Sequence, residues 1–235
     1  MKLKSQVSLF IIISLVLLLV FGLIAYLDSS LKKQHGPDNP ALSIKTFIQS
    51  CITEVSEEGI ILMGLQNGII INEHASVGNY KVNYALINNK SIGLSREDMQ
   101  AQFEEYIAEY LSRCINDFEE FPQYKIKHDK PNVAVQINRQ DVSIFVSYNV
   151  QAEIGKRQFS FDEFTQTIPV RLSKIQGIVS YVSNISKTEI ELYSYLGTQD
   201  INTTVYPNEE GMIYVLSDDK SLINNIPYKY VFAMK

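Results

Sequence analysis

Cys51 and Cys114 are the side chains of this sequence best suited to covalent chemistry. Each falls on the apolar face of a predicted amphipathic helix, and two such helices would be natural antiparallel neighbours. A disulfide between them would close a loop of about 63 residues and stabilise the fold by roughly 4 kcal/mol. The alternative is two unpaired core cysteines, since free cysteine is commonly buried. We expect the disulfide, because the sequence also predicts an exported domain.

Metal binding and catalysis find little support among the remaining polar residues. A closed zinc site needs four Cys or His ligands at short spacing, and His35, His74 and His128 are scattered. The sequence contains neither a glycine-rich phosphate loop nor the common protease and esterase motifs. The acidic doublets are expected to lie on solvated faces, although Asp218-Asp219, in a predicted turn, could bind a cation weakly. We therefore predict no metal, no cofactor and no catalytic residue.

Two long segments have the apolar period of helices that bury one face. The first begins near Pro40 with Asn39 as its cap, and it ends by Gly68, where glycine can adopt a left-handed conformation. The second opens at Ser95 with a capping box. Between them, short apolar runs predict a hairpin-like stretch over 68–72 and 80–87. Residues 41–120 are thus expected to form a helix-hairpin-helix part.

From Phe121 onward the apolar period changes to two, which is typical of strands with one buried face. Runs at 124–128, 132–138, 141–154 and 159–170 predict an antiparallel meander, with an edge or bulge at Pro169. A further helix, in one or two pieces, is predicted over 172–196. Strands follow at 203–206, 212–216 and 228–234. Residues 121–235 would form the β-rich part of an α+β exterior domain.

The exterior is predicted to hang from a single membrane anchor. Residues 7–27 form an apolar run without a charged side chain. As a helix at ~1.5 Å per residue this run would be about 31 Å long, which matches the ~30 Å hydrocarbon core of a bilayer. It is longer than the core of a signal peptide and ends without a small-x-small cleavage site. The predicted order is a short tail at 1–6, a transmembrane helix at 7–27, a polar linker at 28–40 and the exterior domain.

Several features favour a cytoplasmic amino terminus and an extracytoplasmic carboxyl-terminal domain. The lysines that flank the span give only a slight bias under the positive-inside rule. A six-residue tail is an unlikely segment to export, and the expected disulfide belongs to an oxidising compartment. Three glycosylation sequons, which matter only outside the cytoplasm, begin at Asn89, Asn184 and Asn202.

The charge of the exterior limits the classes of partner. Lys2 and Lys4 precede the span, so the remainder carries 19 basic residues against 26 acidic ones, a net charge of −7. Binding to nucleic acid or to anionic lipid surfaces needs basic patches, so this net negative charge disfavours both kinds of partner. The expected partners are the lipid bilayer through residues 7–27 and other proteins, including copies of the chain itself.

The first residues, Lys4-Ser5-Gln6-Val7-Ser8-Leu9, followed by the apolar run, resemble the processing signal of archaeal type IV pilin-like proteins of the class with Gln at the cut. The resemblance implies cleavage between Ser5 and Gln6, with the apolar helix retained in the mature protein. The chain departs from the family pattern at Ser5, where glycine is usual, and at Phe10, where an acid is usual. The remainder, ending in Pro227-Tyr-Lys-Tyr-Val-Phe-Ala233, resembles uncharacterised membrane-anchored proteins of small archaea, a group that implies no activity.

Three functions fit this organisation. The first is a non-enzymatic component of envelope structure, adhesion or assembly, and we expect this one. The second is a pilin-like filament subunit, which would require processing at Ser5 and Gln6. The third is a membrane-tethered hydrolase whose site is assembled from scattered residues, and it would require a deep polar cleft with convergent carboxylates or histidines.

Overall fold

The structure is a computed structural model that describes residues 40–70, 76–77, 82–184 and 189–235. The predicted span at 7–27, the predicted processing residues Ser5 and Gln6, most of the linker, His35 and His74 lie outside the described residues. Within the described ranges, no helix is both long and apolar enough to cross a bilayer. Residues 45–235 form one compact unit.

The described residues contain four α-helices and ten strands, in a mixed α+β arrangement. The helices are α1 (Pro40–Leu65), α2 (Arg96–Ile115), α3 (Leu172–Asn184) and α4 (Glu189–Gly197). The strands are β1 (Ser76–Val77), β2 (Val82–Ile87), β3 (Lys90–Ser91), β4 (Lys125–His128), β5 (Asn132–Ile137), β6 (Val142–Ile154), β7 (Arg157–Ile168), β8 (Asn202–Asn208), β9 (Gly211–Ile223) and β10 (Ile226–Met234).

Helices α1 and α2 pack together as an antiparallel pair. Cys51 of α1 forms a disulfide with Cys114 near the end of α2, with the two Cα atoms 5.8 Å apart. Two turns further along α1, a Cβ atom on Gly59 would lie 2.7 Å from the Phe103 ring and 2.8 Å from the Tyr106 ring. The absence of a side chain at Gly59 therefore lets α1 approach the aromatic face of α2. The predicted bridge is confirmed.

The predicted start of α2 at Ser95 is confirmed, with Ser95 as its N-cap. The Ser95 hydroxyl accepts a hydrogen bond from the Asp98 backbone N–H at 3.0 Å, which satisfies one of the free donors of the first turn. Glu97 and Asp98 place negative charge in that turn, where the helix dipole favours it.

The first sheet contains β4, β5, β6 and β7, and all of its pairs are antiparallel. Strand β7 runs along one edge of the long strand β6, and β4 and β5 share the other edge. Alternate residues of β6 are buried, as the period of two predicts. Strand β7 lies at the edge of the sheet and stops at Ile168, just before Pro169.

Helical side chains cover both edges of this sheet. On the β5 edge, the backbone N–H groups of Val135 and Ile137 donate to the side chains of Glu104 and Gln100 in α2, at 2.8 and 3.2 Å. On the β7 edge, the Gln49 amide of α1 donates to the Thr165 carbonyl at 3.2 Å. Polar edge groups that would otherwise attract another strand are thus occupied within the chain.

The second sheet has the order β1-β2-β10-β9-β8, with β3 also paired to β2. Its pairs are antiparallel except β2 and β10, which run parallel. The antiparallel sheet predicted from the sequence is confirmed for the strands between 125 and 168, but the other strands form a second sheet in which the pair of β2 and β10 is parallel. The predicted turn at Asp218-Asp219 is wrong, because both residues lie within β9, where Asp218 is buried beside Arg171.

Candidate ligand-binding pocket

The chain leaves α2 through three consecutive residues in the left-handed region. Asn116, Asp117 and Phe118 have φ values of 44°, 50° and 59°. Asn and Asp tolerate this conformation, but for a bulky residue such as Phe it is a genuine outlier. Strained backbone of this kind costs about 1–3 kcal/mol per residue and persists only where surrounding contacts hold it, often at functional sites.

The contacts that hold this left-handed turn are aromatic. Phe118 is 3 % exposed, and its ring lies 5.3 Å from the His128 ring and 6.4 Å from the Tyr148 ring, centroid to centroid. On the α1 side, the Phe47 ring lies 6.2 Å from Phe118 and 5.2 Å from Phe121. Rings at these separations attract each other beyond the effect of burial alone. The buried position of Phe118 therefore offsets the strain of its backbone.

An open pocket of about 560 Å³ lies directly beside the turn. Its lining residues come from the turn, the following loop and β4, and they are Asp117, Phe118, Glu119, Phe121, Pro122, Tyr124 and Ile126. We call this the 117–126 pocket. Its size is within the range of small-ligand sites, and polar and apolar surface contribute equally to its walls.

Polar contacts through His128 link the rim of the pocket to the core. Asp117 Oδ1 lies 3.3 Å from His128 Nε2, and the Tyr148 hydroxyl lies 3.0 Å from His128 Nδ1. His128 Nδ1 also lies 3.1 Å from the Asp129 carbonyl oxygen, so the imidazole contacts Asp117, Asp129 and Tyr148. Burial, with a smaller contribution from the Asp117 charge, raises the pKa of Tyr148 well above its ordinary value. Tyr148 thus stays protonated and is not suited to act as a nucleophile or base.

A second charged cluster, remote in sequence from the pocket, joins the start of α3 to β9. The Arg171 guanidinium donates to both carboxylate oxygens of Asp218, through Nε at 2.9 Å and Nη2 at 2.5 Å. Asp218 is fully buried, and the Ser221 hydroxyl also donates to it at 2.5 Å. Asp200 accepts from Arg171 and from Lys220. These charges are paired with one another, so the cluster ties elements together and offers no open site.

The predicted glycosylation sites fall at different kinds of position. Asn89 is exposed in the tight turn between β2 and β3, with φ of 63°. Asn184 is exposed at the last residue of α3. Asn202 begins β8, and its side-chain amide donates to Asp219 at 2.8 Å. Whether any of them carries a glycan stays a prediction.

Among the described residues, no group of three or more His, Cys, Asp or Glu side chains is arranged to hold a metal ion. The weak cation site considered for Asp218-Asp219 is wrong, because Arg171 and Ser221 occupy the Asp218 carboxylate and Asn202 occupies that of Asp219.

The pocket was not visible in the sequence pattern. Phe118 follows Ile115 at helical spacing, so the period extends the apolar face of α2 to Phe118, whereas the helix ends at Ile115. The available signal was the pair Asn116-Asp117, the two residue types that most readily adopt a left-handed conformation. They are followed by two acids between two aromatics in Phe118-Glu-Glu-Phe121, a composition suited to a polar-rimmed aromatic site.

Comparison with known protein families, with curated proteins and with solved structures finds no match for this chain.

Proposed function

We propose that this chain is a membrane-anchored extracytoplasmic protein that acts by binding other proteins, as a non-enzymatic component of envelope structure, adhesion or assembly. The observation that carries the proposal is the Cys51–Cys114 disulfide, which joins α1 to α2. Structural disulfides persist mainly in oxidising compartments outside the cytoplasm. Together with the apolar run at 7–27, the disulfide supports a tethered exterior domain.

The chemistry of the 117–126 pocket favours binding over catalysis. A hydrolase would need carboxylates or histidines that converge in a cleft from which water is excluded. In this pocket the Asp117 side chain is 90 % exposed, and Glu119 accepts a hydrogen bond from the Asn116 amide at 2.8 Å. Tyr148 is held in its protonated form. Such groups are suited to orienting a ligand.

The amino-terminal signal favours one specific variant of this function. Residues Lys4-Ser5-Gln6 resemble the processing site of pilin-like proteins, so the chain could be a subunit that assembles after cleavage before Gln6. The two variants share the anchor and the exterior domain, and they differ in the length of the mature chain.

The location is tested on cells that express the full chain. The intact mass of the extracted protein is measured after alkylation, with and without prior reduction, and trypsin is added to unbroken cells from outside. We expect two alkylated thiols only after reduction, and digestion of the exterior in unbroken cells. The Cys51→Ser/Cys114→Ser variant is the control for thiol counting.

Two results would overturn the location: two free thiols without reductant, or an exterior that trypsin reaches only after lysis. Loss of residues 1–5 from the intact mass would identify the pilin-like variant, and filaments would then be sought by electron microscopy.

A further inference from the structure

The walls of the 117–126 pocket are aromatic rings that meet at steep angles. The Phe118 and Phe121 rings have centroids 6.4 Å apart and planes inclined at 62°, and Phe121 and Tyr124 are 6.1 Å apart at 63°. Each pair of rings packs edge to face. Phe118 is buried and supports the wall, whereas Phe121 and Tyr124 are partly exposed and line the pocket. The face of an aromatic ring carries the negative part of its quadrupole, which attracts a cation within about 6 Å of the centroid.

The polar groups of the pocket have the same sign of charge. The carboxylates of Asp117 and Glu119 belong to the lining, and the lining contains no lysine or arginine. Both acids belong to exposed residues, so an incoming group can reach them without displacing protein. A cationic group would gain from the ring faces and from the carboxylates together, whereas an anion would be repelled by both.

The pocket is held in shape before any ligand arrives. The left-handed turn is fixed by the buried Phe118 ring, Asp117 is oriented by His128, and Glu119 is oriented by Asn116. Two residues before the turn, Cys114 fastens the end of α2 to α1. Such preorganisation reduces the ordering cost that binding would otherwise incur.

We propose that the 117–126 pocket binds the guanidinium or ammonium group of an arginine or lysine side chain presented by a partner protein. The inference rests on the proposed function, in which the exterior domain binds other proteins. A basic side chain fits better than an apolar one because an apolar group would leave the two carboxylates without a role, and the exterior as a whole is acidic.

The test uses the full chain in lipid nanodiscs and four short peptides. Acetyl-Gly-Arg-Gly-amide and acetyl-Gly-Lys-Gly-amide carry the cation, and the counterparts with citrulline and norleucine have similar shapes without charge. Dissociation constants are measured by ligand-observed NMR titration. We expect each cationic peptide to bind about tenfold more tightly than its neutral counterpart, the scale of a partly desolvated cation–π contact.

Two variants examine the two halves of the site. Asp117→Asn/Glu119→Gln should lower the affinity for the arginine peptide about tenfold and leave the affinity for the citrulline peptide unchanged. Its control is Asp162→Asn/Glu163→Gln on β7, which removes the same charge from exposed residues outside the pocket lining and should change neither. Tyr124→Leu should lower the affinity for the arginine peptide, whereas Tyr124→Phe, which keeps the aromatic ring, should leave this affinity unchanged.

Thermal unfolding of each variant establishes that it is folded before its binding is interpreted. Equal affinity for the arginine and citrulline peptides in the unaltered chain would overturn the inference. So would an equal loss of affinity in the Asp162/Glu163 control, since the effect would then be one of overall charge. Failure of the peptide experiment leaves the alkylation and trypsin results untouched, so the two proposals fail separately.

Discussion

Asp218 has the most demanding environment among the charged residues described here. Its side chain is fully buried, and its two oxygens accept hydrogen bonds from Arg171, Ser221 and the Lys220 backbone N–H. Taking two charges out of water costs several kcal/mol per ion, and only close pairing repays this cost. Each partner therefore depends on the other.

Removing one member of this pair should be far more damaging than removing an exposed pair. We expect Asp218→Asn to lower the free energy of unfolding by about 3–5 kcal/mol, because Arg171 would lose its buried carboxylate partner and keep only the exposed Asp200. Urea unfolding of the full chain in detergent, followed by circular dichroism, measures the change. Glu109→Gln is the matched control, since its Arg113 partner is exposed, and it should change stability by less than about 1 kcal/mol. A loss of similar size in both variants would contradict the argument.

The same carboxylate should make stability depend on acid pH. Burial raises the pKa of Asp218, but the hydrogen bonds from Arg171, Ser221 and the Lys220 N–H lower it more, so the net shift is downward from 3.8. A depressed pKa contributes stability that is fully present above pH 3.8 and is lost as pH falls through the folded-state pKa. Unfolding curves from pH 6 to pH 2 should show this loss. The comparison with Asp218→Asn at each pH isolates the contribution, and a difference that stays constant below pH 3.8 would rule it out.

At the scale of elements, local sequence signals predicted the start of α2 and the end of α1 before the left-handed Gly68, but not the end of α2. Ser95 caps α2 as the capping box predicts, because the signal and the contact lie within four residues. The end of α2 was not predicted, because the apolar period runs on to Phe118 and the left-handed turn depends on distant rings at Phe47 and Tyr148. The helix predicted over 172–196, in one or two pieces, corresponds to the two helices α3 and α4.

The disulfide between α1 and α2 closes a loop of 63 residues, and this predicts its contribution to stability. By the loop-entropy relation, Cys51→Ala/Cys114→Ala should lower the free energy of unfolding by about 4 kcal/mol. Urea unfolding of the oxidised chain, with the double variant beside it, measures the difference. Adding reductant should destabilise the unaltered chain and leave the double variant unchanged. A variant as stable as the oxidised chain would show that the helix pair needs no covalent link.

The glycines of α1 and α3 should respond oppositely to the same substitution. A Cβ atom on Gly64 would meet the Lys229 carbonyl of β10, a backbone atom that cannot yield as a flexible side chain could. We expect Gly64→Ala to destabilise the chain by about 1–3 kcal/mol. In α3, Gly177 has open space around it, so Gly177→Ala should stabilise by up to about 1 kcal/mol through helix propensity. Thermal unfolding of both variants measures these changes in stability. A stabilising effect of Gly64→Ala would show that α1 and β10 are not in close contact at this position.

At the scale of the whole molecule, the alternating period predicted most strands, but it could not predict how they divide between two sheets. An apolar period of two residues shows which face of a strand is buried, but it carries no information about which strand lies beside it. The neighbours β2 and β10 are separated by about 140 residues of chain, and their pairing is parallel. The pocket depends on the same long-range order, because α1, the 116–118 turn, β4 and β6 each contribute a ring to its aromatic support. Local patterns can place each ring on an element but cannot bring the four elements together.

The position of β10 gives a prediction about the chain as a whole. Although it lies at the end of the sequence, β10 is central in its sheet: it pairs with β2 on one side and with β9 on the other. It also buries Tyr228, Tyr230 and Phe232, and the Tyr228 hydroxyl donates to the Ile60 carbonyl of α1 at 3.0 Å.

Removing residues 226–235 should therefore abolish the cooperative unfolding transition and make the exterior sensitive to protease throughout, because the sheet would be divided and α1 would lose its support. Removing Lys235 alone deletes only two backbone hydrogen bonds, to Leu86 and from Asn88, and should cost about 1–3 kcal/mol while keeping the transition. Limited proteolysis and thermal circular dichroism of both truncations measure this, and a cooperative transition in the 1–225 chain would show that the exterior folds without its central strand.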